Sequence, residues 1–581
     1  MRLILEALRA AVVAMLGAYH SAKYGAIIRR LGLPLVERNE RRGFVVVQID
    51  GLAHDCLLQA MERGYAPYLQ RLLRRGDVAL QPWTVGLPCT TPAVQAGILF
   101  GNNDDIPSYR WYDKREGEAI DCVQPAAIYA IQERLARNHP GILRGGSSYM
   151  NVFDGDASLS MFTLGAMNRK RFFESVKGLG FLLLFLLSPI RTVKMIVLAV
   201  WEYVTDLAQH TSAVLRRSNP RPLQVKFRFL RVVSNVIFRE IQTFAVLIDI
   251  FRGVPAIYST YYGYDEVAHQ YGPLSKPALR ALHAIDGRIR RIDGLRRLML
   301  GRAYDLFILS DHGMTSAIPF RKLHEHTLGE MVHECVDHAM CVAEAQRPAE
   351  RGALQEAFLA EELEVIERNL GSPWSRIARR IRRAVQPGLN AHNGDGDGPM
   401  DARRNAIGDE LMVRSSGSLS HIYFADHPAP LDLDQIEALS PRLVRNLAEH
   451  PSIWLVLGRQ NGAVVLIDKK GRYTLDGNGH SDVSGSDPRI LEDKDLDPAV
   501  LARLARFSNA GDLIVFGQYD PETDTVICFE DQWACHGGLG GAQRVAFMLT
   551  EKHIDWPMAQ VRDANDLYGL FARRYRFEPS G

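Results

Sequence analysis

The sequence lacks several features that would assign the protein to a class at once. Lys and Arg number 69 and Asp and Glu 67 among 581 residues, so the formal net charge is only +2. Without a strong charge of either sign, nothing indicates that the protein binds a nucleic acid polymer. The seven cysteines are scattered and include no Cys-x-x-Cys pair. This pattern argues for reduced thiols, against a disulfide framework and against thiolate-bound zinc.

Apolar runs long enough to cross a bilayer, which takes about 20 residues, are also missing. The run 179–190 is shorter, and Arg191 and Lys194 interrupt its continuation to residue 201. We expect segment 179–201 to be a core or inter-subunit helix or, as the alternative, to contact a membrane surface together with residues 1–19. Residues 1–19 carry charges and no cleavage site, which predicts an amphipathic helix rather than a signal peptide.

Short apolar runs rich in β-branched residues are the most regular feature of the chain. They show no polar–apolar alternation, which is typical of parallel strands buried on both faces. Helical patterns at 66–74 and 274–300 lie between them, so we predict an α/β fold with a mostly parallel central sheet, helices on both faces and helical insertions. The predicted strands are 43–50, 254–262, 304–310, 418–425, 453–458 and 513–517.

Acidic residues stand where three of these strands end. Asp50 and Asp311 each close an apolar run, and Asp265 follows another run by a few residues. Functional residues in parallel sheets lie at the carboxyl ends of the strands. We therefore expect these three carboxylates to meet at one edge of the sheet.

Histidines accompany the carboxylates at spacings that suit metal ions. Asp265 and His269 are four residues apart, so one helical turn places both on one ion. Asp311 and His312 are adjacent, and His536 precedes a Gly-Gly turn. His nitrogens and Asp oxygens are ligands of zinc, and manganese accepts the same set. Two such ions about 4 Å apart are suited to the cleavage of phosphate esters.

Two hydroxyl side chains, Thr90 and Thr91, stand at the start of a predicted helix. Free N–H groups at a helix N-terminus stabilise both an attacking alkoxide and a phosphoryl oxygen. Either threonine is therefore a candidate nucleophile, and the residues alone leave the choice open.

Five short motifs follow one another in a fixed order along the chain. They are Asp50, Thr90-Thr91, Asp265 and His269 with Gly272-Pro273, Asp311-His312-Gly313-Met314, and His536-Gly537. In this order they resemble the motifs of the alkaline phosphatase superfamily, in its type I phosphodiesterase/nucleotide pyrophosphatase branch. The resemblance covers roughly residues 43–345 and 410–550. Each motif alone is weak, whereas five in order form a specific pattern.

The resemblance implies a division of the ligands between two divalent metal ions. One ion would be held by Asp50, the nucleophile, Asp311 and His312. The second would be held by Asp265, His269 and His536. Zinc is the expected metal, with manganese as the alternative. Thr91 is favoured as the nucleophile and first-metal ligand because it lies ten residues before Gly101, a family spacing, whereas Thr90 fits the Thr-x-Pro habit through Pro92.

The resemblance also implies an activity. We expect a metal-dependent hydrolase of phosphate esters, diesters above all, that works through a covalent phospho-threonine. The alternative is a transferase that passes a phospho head group to a lipid or glycan acceptor at a membrane surface, and a metal-binding scaffold without activity is a third hypothesis. The substrate would be a small-molecule or lipid-linked phosphate ester. A reduced set of cysteines and no signal sequence predict a cytoplasmic protein, associated with the inner face of the membrane if the apolar segments contact it.

The predicted organisation has five segments. Residues 1–42 form an N-terminal amphipathic helical segment, and 43–345 the first part of a catalytic α/β domain with a helical insertion at about 145–250. Residues 346–410 form a helical or flexible linker insertion. Residues 411–550 complete the catalytic domain, and 551–581 form a C-terminal tail. We further expect 109–113 or 147–151 to shape the leaving-group pocket and His480 to lie at its rim.

Overall fold

The structure, a computed structural model, describes most of the chain. The described residues are 2–33, 35–36, 41–137, 139–166, 233–336, 340–344, 410–475, 481–485 and 497–575, together with scattered helical positions within 193–204 and 363–382. The predictions for the apolar run 179–190, for nearly all of the linker 346–410 and for His480 lie outside the described residues.

The strands fall into a large central sheet, a second large sheet and two small ones. In chain order they are β1 Gly43–Ile49, β2 Val78–Thr84, β3 Arg110–Asp113, β4 Glu118–Asp121, β5 Ser147–Tyr149, β6 Leu159–Met161, β7 Ala256–Tyr261, β8 Tyr304–Leu309, β9 Thr315–Pro319, β10 Cys341–Glu344, β11 Glu410–Ser416, β12 Leu419–Phe424, β13 Ile453–Gln460, β14 Ala463–Ile467, β15 Gly471–Leu475, β16 Ser481–Gly485, β17 Leu513–Gly517, β18 Tyr519–Asp520, β19 Thr525–Cys528, β20 Ala534–Cys535 and β21 Val545–Glu551.

The helices pack around these sheets, and short 3-10 and π turns join some of them. The α-helices with continuous bounds are α1 Arg2–Leu31, α2 His54–Glu62, α3 Pro67–Arg74, α4 Thr91–Phe100, α5 Pro125–Ala136, α6 Arg239–Arg252, α7 Gly263–Tyr271, α8 Lys276–Arg296, α9 Phe320–His324, α10 Leu328–Cys335, α11 Leu433–Leu439, α12 Leu443–Glu449, α13 Pro498–Ala505 and α14 Ala564–Tyr575. Among the described residues, short 3-10 helices span Leu164–Ala166 and Met558–Gln560, and a π-helix spans Val233–Phe238.

The central sheet has seven strands in the order β2-β21-β8-β1-β7-β5-β6. Strands β8, β1, β7, β5 and β6 are parallel, and β21 is antiparallel to both of its neighbours. Strand β1 is buried along its whole length, as expected for Val and Ile between two layers of structure. The predicted α/β fold with a mostly parallel sheet is confirmed.

A second sheet of eight strands has the order β10-β11-β12-β17-β13-β14-β15-β16 and is antiparallel except for the β10–β11 pair. The runs 418–425, 453–458 and 513–517 were expected to extend the parallel sheet. They do form strands, but these are β12, β13 and β17 of this antiparallel sheet. The expectation failed because an apolar run reports burial on both faces and does not report the direction of its partner.

Two predicted segment boundaries differ from the structure. Strands β5 and β6 continue the central sheet to Met161, inside the helical insertion predicted at about 145–250. Helix α14 lies inside the predicted tail 551–581 and is part of the core, because Phe571 is fully buried against Phe44 and Phe307, with ring centroids 5.2 and 4.9 Å away. The other predicted bounds stay a prediction.

The N-terminal helix α1 rests on the domain through its second half. Tyr24 and Ile28 are buried, and the Tyr24 ring lies 5.9 Å from the Phe251 ring at the end of α6. Met15 and Tyr19 point into solvent. None of the described helices combines the length and the apolar character that a membrane crossing requires.

Candidate active site

Three neighbouring strands of the central sheet deliver carboxylates to one edge. Asp50 directly follows β1, Asp265 lies in the first turn of α7 just after β7, and Asp311 follows β8 by two residues. Because β7 and β8 flank β1 on either side and all three run in parallel, their carboxyl ends meet. All three side chains are buried, as the sequence led us to expect.

The first group of metal-ligating atoms combines Asp50, Asp311 and His312. One carboxylate oxygen of each aspartate and one ring nitrogen of His312 lie within 4.8 Å of one another. The Thr91 hydroxyl belongs to this group, since its Oγ1 lies 3.4 Å from Asp50 Oδ1 and 3.2 Å from His312 Nε2. The backbone N–H of Gly51 donates to Asp311 Oδ1 at 3.4 Å and orients this carboxylate.

A second group lies against the first. Ligand atoms of Asp265, His312 and His536 also lie within 4.8 Å of one another. His269 Nε2 is 3.2 Å from Asp265 Oδ2, and the rings of His312 and His536 stack with centroids 3.6 Å apart. The structure therefore brings all the predicted ligands together, with His312 positioned between the two groups.

The three histidines are held in the same way. The Nδ1 atom of His312 lies 3.0 Å from Gly313 O, that of His269 lies 2.8 Å from Ala534 O, and that of His536 lies 2.8 Å from Cys89 O. A backbone carbonyl only accepts, so each Nδ1 is assigned the proton. Each Nε2 then keeps its lone pair, which is the form that binds a metal, and such second partners orient metal-binding histidines.

The buried carboxylates of the site would be stabilised by a nearby positive charge. Burial raises the pKa of Asp311 well above its usual value, and the neighbouring Asp50 carboxylate raises it further. Burial also works to raise the pKa of Asp265, but His269, followed by His536 and His312, holds it below its usual value. A cation between Asp50 and Asp311 would remove their mutual repulsion.

Two buried oxygens point to what the site would hold. Asp265 Oδ1 and Asp311 Oδ2 accept no hydrogen bond from any residue that the structure describes. Buried carboxylate oxygens are rarely left in this state unless they meet an ion or water. Together with the imidazole nitrogens, they form the oxygen and nitrogen donor set of zinc, which manganese also accepts. The side chains therefore fit the expected divalent ions.

The two threonines differ in what they face. Helix α4 begins at Thr91, with Thr90 as the extended residue before it. Only Thr91 lies beside the carboxylates and His312. Thr90 Oγ1 is buried without a hydrogen-bond partner among the described residues, and its methyl group lies toward Gly537. The geometry thus brings Thr91 into the ligand group and leaves Thr90 outside it.

The loop that carries His536 depends on contacts that the sequence did not predict. Cys89 forms an isolated β-bridge with Gly537, and the Gly537 N–H lies 3.2 Å from Cys89 Sγ. Gly417, at φ +62°, approaches so closely that an added Cβ would stand 1.9 Å from the His536 carbonyl oxygen. A glycine can mark a position where two backbones approach closely. The residues that approach Gly417 and Gly537, however, are more than 100 residues away in sequence.

The predicted pocket segments have mainly structural contacts. In 109–113, Arg110 Nε is 2.7 Å from Asp121 Oδ2 within the β3–β4 hairpin. In 147–151, Asn151 bonds to Ser148 and accepts from Thr260 Oγ1 at 2.6 Å. Met150 is the exception, because it lines a small cavity of about 10 Å³ next to the site, together with Phe238, Arg239, Gln242, Tyr261, Tyr262, Gly263 and Ile285.

Tyr262 is a further residue that the sequence did not mark. It is buried between β7 and α7. Burial raises the pKa of Tyr262 well above its usual value, and the Asp50 and Asp311 carboxylates raise it further. The phenol is therefore neutral and close enough to the site to feel both charges. Only its position directly after a strand could have indicated this.

A family-model match covers two of the five motifs, those at Asp265–His269 and at Asp311–His312. Residues 214–370 match the family model described as type I phosphodiesterase / nucleotide pyrophosphatase, and this confirms the predicted resemblance. The human ectonucleotide pyrophosphatase/phosphodiesterase family member 1 is 43% identical over 51 residues, which is 9% of this chain. The match spans only 6% of the length of that relative.

Solved structures of low sequence identity also align over most of the chain. Phosphonoacetate hydrolase from Sinorhizobium meliloti, in complex with phosphonoformate, is 13% identical with a TM-score of 0.41, covering 93% of this chain and 97% of the other. The murine ectonucleotide pyrophosphatase / phosphodiesterase 5, an inactive variant in complex with AMP, is 10% identical with a TM-score of 0.43, covering 93% and 96%.

Proposed function

We propose, from the family match and the geometry of the site, that the protein is a metal-dependent hydrolase of phosphate esters, in particular of diesters. The observation that carries the proposal is the position of the Thr91 hydroxyl. It lies at the N-terminus of α4, beside Asp50 and His312, in the first of two adjoining groups of metal-ligating atoms. A hydroxyl beside such ligands is the arrangement of an activated nucleophile.

The residues divide between two divalent ions in the proposal. Asp50, Thr91, Asp311 and His312 would hold the first ion, and Asp265, His269 and His536 the second. Zinc is the preferred ion because three neutral imidazoles contribute, and manganese is the alternative. When bound, the ions would lower the pKa of the nucleophile and neutralise charge on the phosphoryl oxygens.

The chain's own groups suffice to describe the path of the phosphoryl group. Thr91 Oγ1 attacks phosphorus and forms an O–P bond while the bond to the leaving group breaks, and the proton that the hydroxyl loses ends on the departing oxygen, which leaves as the alcohol. The N–H groups of the first turn of α4 that bond to no carbonyl of the helix would face the phosphoryl oxygens. Water then attacks the phospho-threonine, the O–P bond to Thr91 breaks, and the hydroxyl regains a proton. Burial of the site excludes bulk water and strengthens these interactions.

A comparison of two neighbouring threonines tests the proposal. With zinc or manganese supplied, Thr91→Ala should abolish turnover of an aryl phosphodiester while bound metal persists, and Thr90→Ala should remain active. Activity in both variants would refute the threonine mechanism. Loss in Thr90→Ala alone would move the nucleophile by one position. Acid-quenched protein incubated with substrate should carry a phosphoryl group at Thr91 by mass spectrometry.

A transferase is the second candidate function. It would share the first step and pass the phosphoryl-bearing group from Thr91 to an alcohol on a lipid or glycan instead of water. Exposed aliphatic residues within 193–204 favour it, because they would bring such an acceptor near. Product analysis with added alcohol separates the two functions. A hydrolase releases only the product of hydrolysis, and a transferase forms the phosphate ester of the added alcohol. The substrate is a small-molecule or lipid-linked phosphate ester in either case.

A further inference from the structure

An exposed aliphatic face lies on the helical positions between 193 and 204. Five side chains, which we call the aliphatic face, are each between 51% and 60% exposed: Val193, Ile196, Val197, Val200 and Val204. At 3.6 residues per turn they fall within roughly 100° of one another. Met195 lies on the opposite side of the helix and is buried in the main core. The described positions thus contact the protein through Met195 and present their aliphatic side chains to solvent on the other side.

The charge of the surrounding sequence is unlike that of the rest of the chain. Residues 167–231 contain twelve Lys or Arg against three Asp or Glu, a net charge of +9 in a chain whose total is +2. A second copy of the chain would carry the same net positive charge in this segment, which disfavours pairing of two copies through it. An anionic bilayer supplies both an apolar layer for the aliphatic residues and negative charge for the cations.

The aliphatic face belongs to a segment of the chain whose flanking described residues, up to 166 and from 233, lie beside the candidate active site. Strand β6 ends at the same edge of the sheet as β7, and the Phe162 ring just after it lies 4.7 Å from the Phe238 ring just before α6. Arg239 and Gln242 then line the small cavity with Tyr262 and Gly263. Both ends of the segment therefore stand at the edge that carries the metal-ligating groups.

We propose that the aliphatic face docks the protein on an anionic lipid bilayer and so positions the site edge at the membrane surface. The docking is independent of the reaction. A second consequence rests on the proposed function: the substrate that this surface presents is a phosphodiester of a lipid head group.

Flotation of the full-length protein with vesicles tests the docking. The wild type should float with phosphatidylcholine vesicles that contain phosphatidylglycerol, and more weakly with phosphatidylcholine alone or at high salt. Val197→Asp/Val200→Asp should weaken the partition on the order of tenfold or more, because two aliphatic side chains leave the interface and two negative charges enter it. The matched control Leu58→Asp/Leu323→Asp changes two exposed leucines that lie outside the aliphatic face. This variant should float like the wild type.

Several outcomes would overturn the docking. These are no flotation of the wild type, equal flotation with neutral and anionic vesicles, or equal flotation of the two double variants. A dimer that Val197→Asp/Val200→Asp converts to a monomer in sedimentation velocity, without vesicle binding, would show that a second copy covers the face.

Activity measurements separate this inference from the proposed function. Val197→Asp/Val200→Asp should hydrolyse a soluble aryl phosphodiester at the wild-type rate and lose activity toward the same head group presented in anionic vesicles. Equal loss on both substrates would overturn the lipid-substrate consequence. Flotation without hydrolysis of any phosphodiester would refute the proposed function and leave the docking supported.

Discussion

The two large sheets differ in what the ends of their strands carry. In the central sheet β8, β1 and β7 run in parallel, so the residues that follow them meet at one edge and three carboxylates converge there. In the second sheet neighbouring strands mostly alternate in direction, so successive strand ends lie at opposite edges. The second sheet contacts the backbone of a residue of the site, because the Gly417 turn between β11 and β12 packs against the His536 carbonyl. Strand direction, more than burial, decides which sheet builds a site.

We expect the largest effect from a substitution among the carboxylates at the edge of the central sheet. Asp311→Asn should lower kcat/KM for a phosphodiester on the order of 10³-fold, because a ligand and a charge are lost from the first group. The same change removes repulsion from Asp50, so the metal-free variant should unfold at a temperature no lower than the wild type. Kinetics, metal content and thermal unfolding measured on one preparation check both parts. A metal-free variant that unfolds earlier would contradict the electrostatic description.

The next change breaks the contact between the second sheet and the site. Gly417→Ala places a Cβ against the His536 carbonyl at a position with φ +62°, so the His536 loop must shift. We expect activity to fall on the order of 10- to 100-fold, as for lost supporting contacts of metal ligands. Gly462→Ala, also at positive φ but with nothing within 4 Å, is the matched control. It should cost about 1 kcal/mol of stability and no activity; equal losses of activity would rule out the steric link.

The second sheet should respond to pH through His421 on β12. Its Nε2 donates to Pro107 O at 3.0 Å and its Nδ1 accepts from the Gly511 N–H at 3.1 Å, so the ring is neutral. Burial lowers the pKa of His421 to about 4, and Arg459 adds to the shift. The unfolded state takes up this proton first, so the contribution is complete above about pH 6.5 and is lost as pH falls toward 4.

Urea unfolding measures this effect. The His421 contribution to the free energy of unfolding should fall by about 3 kcal/mol from pH 7 to pH 4. His421→Gln keeps a donor and an acceptor and should flatten this part of the profile at a lower stability. An unchanged slope in the variant would assign the pH dependence to other groups.

The smallest expected effect comes from an exposed ion pair at the far part of the second sheet. Arg472 Nη2 lies 2.8 Å from Glu437 Oε1, and both side chains are largely exposed. Because water and salt screen such a pair, Glu437→Gln should change stability by less than about 0.5 kcal/mol and leave activity as it is. A loss of stability comparable to that of Gly462→Ala would show that this contact between α11 and β15 is more important to the sheet than its exposure indicates.

The six strands predicted from the sequence lie close to their predicted positions, but the partners of three of them were not foreseen. Strands β1, β7 and β8 were predicted within two residues at their ends, because apolar β-branched runs bounded by polar residues are a local signal. The antiparallel setting of β12, β13 and β17 was missed, since pairing depends on residues distant in sequence. Helix α14 was missed because a short terminal segment was treated as a tail without weighing its apolar spacing at Leu567, Leu570 and Phe571.

The candidate site shows the same division. Local order along the chain selected Asp50, Thr91, Asp265, His269, Asp311, His312 and His536, and the structure brings these side chains together. It could not show that His312 lies between the two groups, or that Thr91 rather than Thr90 faces them, because both follow from how α4 meets β1 and β8. The roles of Cys89, Gly417 and Tyr262 could not be predicted, since each acts through a neighbour that only the fold brings near.

The place of β21 in the central sheet has a consequence for synthesis of the chain. This strand, residues 545–551, lies between β2 and β8, which were made hundreds of residues earlier. At about 5–20 residues per second, the ribosome needs on the order of 20 to 90 s between finishing β2 and reaching β21. Until then the edge of β8 has no partner on that side. A nascent chain of this protein therefore carries an open sheet edge next to its future site, which is the kind of surface that chaperones bind.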